Sequence, residues 1–214
     1  MLVPFCMPHR FRSRTVLFDV TRARLADVFG EERLASLPAT AFPPLTADTE
    51  GARLLQSVGV PTGTLRLREP DTRSGLLPLV REVVDAGEEA GGWPVIGWLL
   101  NAHLALDPGS GAVYAFDPDE ETAQRLHTDV SSLVHVTLSF QRLLEEFAFS
   151  GDEADEEADF ERLDREVERI RRTTGEVDPL PFGDEESVWS VVGEEIAAGQ
   201  RFADGSPGAV SLYG

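Results

Sequence analysis

The stretch Trp93-Pro94-Val95-Ile96-Gly97-Trp98-Leu99-Leu100-Asn101-Ala102-His103-Leu104-Ala105-Leu106-Asp107, continued by Gly111-Ala112-Val113-Tyr114-Ala115-Phe116-Asp117, decides the fold. It is the most apolar part of the chain and lies near its middle. Residues 95–100 are apolar without alternation, the pattern of a strand buried on both faces. Residues 103–107 and 112–117 flank Pro108-Gly109-Ser110-Gly111, which has the composition of a hairpin loop. Asn101-Ala102 supplies a tight turn or a bulge. The stretch therefore reads as two or three adjacent strands, and none of them carries a catalytic motif.

Upstream, Thr64-Leu65-Arg66-Leu67-Arg68 alternates at period two, as a half-buried strand does. Residues 76–84 are apolar and ambiguous between strand and helix, and residues 85–92 form an acidic, Gly-rich surface loop. Before these lie two short helices. Thr21 suits an N-cap, Leu25, Val28 and Phe29 follow at helical spacing, and Gly30 ends the run. The second helix starts at Asp48 or Thr49 and ends at Val58. There Gly59 suits the left-handed position after a helix and Pro61 forbids continuation.

Downstream, residues 125–128 read as one more short strand. A long helix follows, capped by Ser131 or Ser132, with Leu133, Val136, Phe140, Leu143, Leu144 and Phe147 on one broad stripe. That stripe is suited to covering a sheet face. Residues 151–159 hold six acids in nine positions and are expected to be solvated and mobile. Phe160, Leu163, Val167 and Ile170 mark a further helix. A last helix is expected from near Asp184, with Glu185 and Glu186 in its first turn, and Val188, Trp189, Val192 and Ile196 on its buried face. The domain division is a loose leader over 1–18, one domain over 19–200 with an acidic insert at 150–159, and a C-terminal tail over 201–214.

The chain has 214 residues, enough for one well-packed core. Its 38 acids face 19 bases, every one an arginine, for a net charge of −19. The imbalance is concentrated late. Residues 1–116 hold 13 acids and 11 arginines, whereas residues 117–214 hold 25 acids and 8 arginines. Such a surface repels nucleic acid and anionic membrane and favours basic partners. The lone Cys6 cannot form an internal disulfide, which fits a reducing cytoplasm. No window approaches the roughly 18 apolar residues of a membrane span. The start lacks a basic region before its short apolar run, so no signal peptide is expected and the chain reads as cytoplasmic.

Candidate chemistry is sparse. His127, Asp129 and Ser131 are residue types found in hydrolase triads, but triads are defined by geometry and no nucleophile elbow is present. Their simpler reading is a strand-to-helix corner. The four histidines show no paired spacing, so no metal site is expected. No Gly-rich phosphate loop implies a nucleotide cofactor. Asp117-Pro118-Asp119-Glu120-Glu121 lacks a calcium-loop register and reads as an acidic hairpin exit that can form a protein-contact edge. Trp98 and Trp189 read as core residues. Trp93 borders an acidic loop and is a candidate contact anchor.

In order and spacing these pieces resemble the SUKH superfamily of bacterial immunity proteins, specifically its fourth subfamily. Residues 20–25 with Phe29-Gly30 and Leu37-Pro38 look like its first helix and exit. Residues 53–61 look like its helix stop. Residues 106–117 look like the shared hairpin, 127–133 leading to Phe140 look like the lead into its long helix, and 182–195 with Trp189 look like its closing helix. The acidic insert and the leader depart from that pattern. The resemblance implies an α+β fold, with a central, mostly antiparallel sheet flanked by helices. It also implies a binding protein rather than an enzyme, one that neutralises a cognate polymorphic toxin, often a nuclease or deaminase, by direct contact. No catalytic residue, cofactor or metal ligand is carried over. With the charge, it points to a basic protein partner. The expected contact residues are Trp93, Asp117, Asp119, Glu120 and Glu121, with Asp152, Glu153, Asp155 and Glu156. The alternatives are a small enzyme built on His127, Asp129 or the 117–121 carboxylates, and a regulatory scaffold unrelated to a toxin.

Overall fold

A computed structural model describes residues 16–85, 88, 90–119 and 122–213. In chain order the elements are α1 (Arg22–Phe29), β1 (Leu34–Ala35), α2 (Pro44–Ala47), α3 (Glu50–Ser57), β2 (Val60–Pro61), β3 (Arg66–Leu67), β4 (Val95–Leu99), β5 (Ala102–Leu106), β6 (Val113–Asp117), β7 (Thr122–His127), α4 (Val130–Glu146), α5 (Glu156–Gly175), α6 (Val188–Ala197) and α7 (Pro207–Tyr213). The fold is α+β. Strands β3 to β7 form an antiparallel meander in sequence order, and β1 pairs with β2 in a separate antiparallel ribbon.

The apolar centre becomes β4, β5 and β6. Its lack of alternation has the expected cause, burial on both faces of the sheet. On the inner face Ile96, Leu99, Leu104, Leu106, Val113 and Leu126 join one large cluster with Leu133, Val136 and Phe140 of α4. On the outer face Val95, Ala105 and Phe116 form a smaller cluster with Val80, under the segment that leads into β4. That segment, ambiguous in sequence, is neither strand nor helix. It makes single 3-10 turns at Val80–Glu82 and Ala90–Gly92 and one bridge from Leu79 to Pro94. The β4–β5 turn falls at Leu100, which sits at a φ of 54°, one residue earlier than expected.

Thr21 caps α1 by accepting from the Arg24 amide, and Thr49 caps α3 by accepting from the Ala52 amide. Gly59 has a φ of +75°, and a Cβ there would lie 2.4 Å from the Ala35 carbonyl oxygen. Only glycine lets α3 end and β2 close on β1 at this point.

Five expectations change. The cap of α4 is Asp129 rather than Ser131 or Ser132. Its carboxylate accepts from the Ser132 amide and the Ser131 hydroxyl, and also from the Leu17 amide. Asp129→Ala should therefore cost about 1–2 kcal/mol, the upper range for a lost N-cap, because it frees three donors. A urea midpoint unmoved from wild type would reject this.

The end of the leader is likewise attached: the Phe18 amide donates to Ser131 Oγ and its ring stacks on His135 at 4.1 Å. Leader residues 1–15 lie outside the described residues. In the acidic insert, Glu156 to Asp159 form the first turn of α5, and Asp159 is buried. Arg162 and the Ser150 amide hydrogen-bond its carboxylate and hold it down to about 2. Finally, α6 starts after a Ser187 cap, so Glu185 and Glu186 precede it. The chain beyond 200, expected as a tail, packs Phe202 against Phe147 and Phe149 and adds α7.

Candidate functional site

The strand-to-helix corner after β7 holds the titratable residues that sequence alone sets beside hydrolase chemistry. The Trp189 indole N–H donates to His127 Nε2 at 2.7 Å. An indole nitrogen only donates, so Nε2 accepts and the ring proton sits on Nδ1. Nδ1 then donates to Ser132 Oγ at 2.9 Å, and the Ser132 side chain helps to hold the Asp178 carboxylate below its usual range. Asp178 also accepts from the Thr128 amide and hydroxyl, both at 2.9 Å. His127 is fully buried. Burial pulls its pKa down to about 3, against the opposing pull of Asp178.

Both ring nitrogens are thus committed, and His127 stays neutral. Ser131 donates instead to Asp129. The His127, Asp129 and Ser131 of the sequence pattern therefore divide between two separate hydrogen-bond sets. A general base needs a free nitrogen within reach of a substrate proton. This corner has none, and it pins β7, α4, α6 and the Asp178 turn together.

An open groove of about 830 Å³ lies between α1, α4 and α5. Its polar walls are largely ion-paired within themselves, as Arg24 with Asp19, Arg142 with Glu146 and Arg169 with Glu166. No group of His, Cys, Asp and Glu that would hold a metal occurs among the described residues. Nor, among them, is any helix long and apolar enough to cross a membrane.

The expected contact residues fall in two places. Trp93 is half-buried, with its ring 4.8 Å from Tyr114 and 6.3 Å from Phe116 on the outer sheet face. Asp117 closes β6 directly after Phe116, and its Oδ1 accepts from the Asp119 amide in the turn that follows. Glu120 and Glu121 lie outside the described residues. Asp152, Asp155 and Glu156 are exposed where the chain enters α5, with Glu153 in the 3-10 turn Glu153–Asp155. Helix α5 packs on α4 and α6, whereas α4 covers the inner sheet face. The two acidic groups are therefore separated by the α4 layer.

Sequence reasoning missed the rest of the outer face. Trp98, expected in the core, is half-buried there, with the guanidinium carbons of Arg66 and Arg68 at 5.9 and 5.1 Å from its ring centre. The period-two alternation of residues 64–68 held the signal, because it puts both arginines on one face of β3.

A single antiparallel meander with helices on its inner face, closed by a buried corner, is an α+β arrangement consistent with a SUKH-type protein. The SUKH-4 immunity protein family model matches residues 20–195, and the chain belongs to that family. No curated protein and no solved structure matches the chain. The family assigns it an immunity role, with a cognate toxin as partner.

Proposed function

We propose that the protein neutralises a basic toxin that attacks nucleic acid, a nuclease or a deaminase, by direct contact in the cytoplasm of the cell that makes it. The observation that carries this reading is the family match over residues 20–195. The charge supports it. A net −19, gathered after residue 116, repels nucleic acid and attracts a basic cleft. The contact is assigned to Trp93 with Asp117, Asp119, Glu120 and Glu121, and to Asp152, Glu153, Asp155 and Glu156. Since the α4 layer separates these two groups, the first serves as the contact edge and the second contributes mainly to long-range attraction.

Co-expression with the toxin-like reading frames beside the gene tests the role. Rescue of growth followed by co-purification is the expected result, and failure with every frame rejects it. For the rescuing toxin, the association rate should fall at least about tenfold between low and near-molar salt, with the dissociation rate little changed. A rate indifferent to salt removes the electrostatic part.

A further inference from the structure

In a chain with twice as many acids as bases, an arginine normally has a carboxylate beside it. The arginines of α1 and α4 obey this, as do all of those in α5 except Arg172. The outer sheet face does not. Among the described residues, Arg66, Arg68 and Arg125 make no ion pair or side-chain hydrogen bond.

Register places these groups on one surface. Across the strands run Arg66, Trp98, His103, Phe116 and Ala123, and beside this row run Val95, Ala105, Tyr114 and Arg125. The segment before β4 covers the Val95, Ala105 and Phe116 part. Trp98 and His103 remain half-exposed, and the guanidinium groups of Arg66 and Arg68 lie over the Trp98 ring. His103 Nδ1 is closed off from solvent and has no hydrogen-bond partner. Burial and the charge of Arg68 hold this ring below the usual imidazole range, so it is neutral at pH 7. A buried polar atom without a partner is uncommon in a finished fold.

We propose that this uncovered half of the sheet face docks a carboxylate-bearing apolar segment of the toxin. An aromatic or aliphatic side chain lies against Trp98, and an Asp or Glu beside it is held by Arg66 and Arg68. The proposal rests on the toxin-binding reading above and names a contact that reading does not contain. Three observations favour a protein segment as occupant. Trp and Arg are the residue types that carry most interface energy. Guanidinium groups stacked on an indole are already oriented to meet a carboxylate. The chain's net charge of −19 opposes a phosphate polymer, whose binding is dominated by its own charge. The acidic rim attracts the toxin, and this cationic, aromatic patch fixes one segment of it.

The test uses the full chain and three probes. With the toxin that rescues growth, Arg68→Glu and Trp98→Ala should each raise Kd about thirtyfold, while Arg172→Glu, an unpaired arginine outside the sheet, changes it less than about twofold. Arg66→Glu changes an exposed side chain and guards against a Trp98→Ala variant that fails to fold. Unchanged affinity in Arg66→Glu and Arg68→Glu overturns the proposal. The second probe is a phage-displayed random dodecapeptide library panned on the wild-type chain and counter-selected on Arg68→Glu. Enriched peptides should pair Asp or Glu with an aromatic or aliphatic residue. A basic consensus, or no consensus, overturns the proposal. This arm needs no toxin, so its success beside failed rescue would leave the surface standing and remove the toxin reading. The third probe is a labelled single-stranded oligonucleotide. Binding that Arg68→Glu abolishes assigns the face to nucleic acid and overturns the protein occupant.

Discussion

Replacing Trp189 with alanine should lower stability by about 4 kcal/mol or more, the largest loss expected from one substitution in this chain. The indole is fully buried, stacks on Phe140 at 5.6 Å and meets His127 edge-on. Truncation opens a cavity between α4 and α6, and it also leaves His127 Nε2 buried with no donor, a separate penalty of about 1–3 kcal/mol. Trp189→Phe divides the two effects, since it keeps an aromatic ring against Phe140 and opens a smaller cavity while removing the N–H donor. Chemical denaturation should place Trp189→Phe between wild type and Trp189→Ala. A loss below about 2 kcal/mol in Trp189→Ala would mean that the corner closes over the cavity and the network contributes little.

The second large effect is a loss of stability in mild acid. His127 is held down to about 3 in the native protein, against an ordinary value near 6.5 in the unfolded chain. Between these values the unfolded chain binds a proton that the native state does not. Stability is therefore highest above pH 6.5 and falls as pH falls, at up to about 1.4 kcal/mol per pH unit. Asp159 and Asp178, whose pKa values are lowered, add the same sign below about pH 4, where the unfolded carboxylates protonate first.

Urea midpoints at pH 7, 5.5 and 4.5 should decline steeply in the wild type. In His127→Gln the amide still accepts from Trp189 and donates to Ser132, but it does not titrate. Its decline should be shallower, the remainder coming from His103 and His135, which burial also holds low. Equal slopes in the two proteins would show that the proton taken up on unfolding does not belong to His127.

The local elements were legible because their signals are local. Thr21, Gly30, Thr49, Gly59 and the 107–112 hairpin loop each act within a few residues. The α4 cap was misplaced because Asp129, Ser131 and Ser132 are all good capping residues within four positions. The choice of Asp129 depends on contacts with Leu17 and Ser131 that spacing does not reveal. The corner lay further out of reach. Its bonds join His127 to a tryptophan 62 residues away and Thr128 to an aspartate 50 residues away. Trp98 was misread for a related reason. A strand apolar on both faces does not say which face the preceding segment covers, and that segment covers only half of one. Asp159 was the avoidable miss: its partner Arg162 stands three residues on, the usual spacing for a helical ion pair.

Gly97 has a consequence for how such a protein diversifies. A methyl group there would lie 2.6 Å from the Arg66 carbonyl oxygen, so β3 rests against β4 with nothing between the two backbones. Strand β3 is only two residues long, and neither its Arg66 nor Arg68 just after it belongs to the hydrophobic core. The side chains of residues 66 and 68 can therefore be exchanged for others without repacking any hydrophobic layer. The geometry of that strip is set by the close approach of two main chains, and its chemistry can change while the hydrophobic core stays as it is.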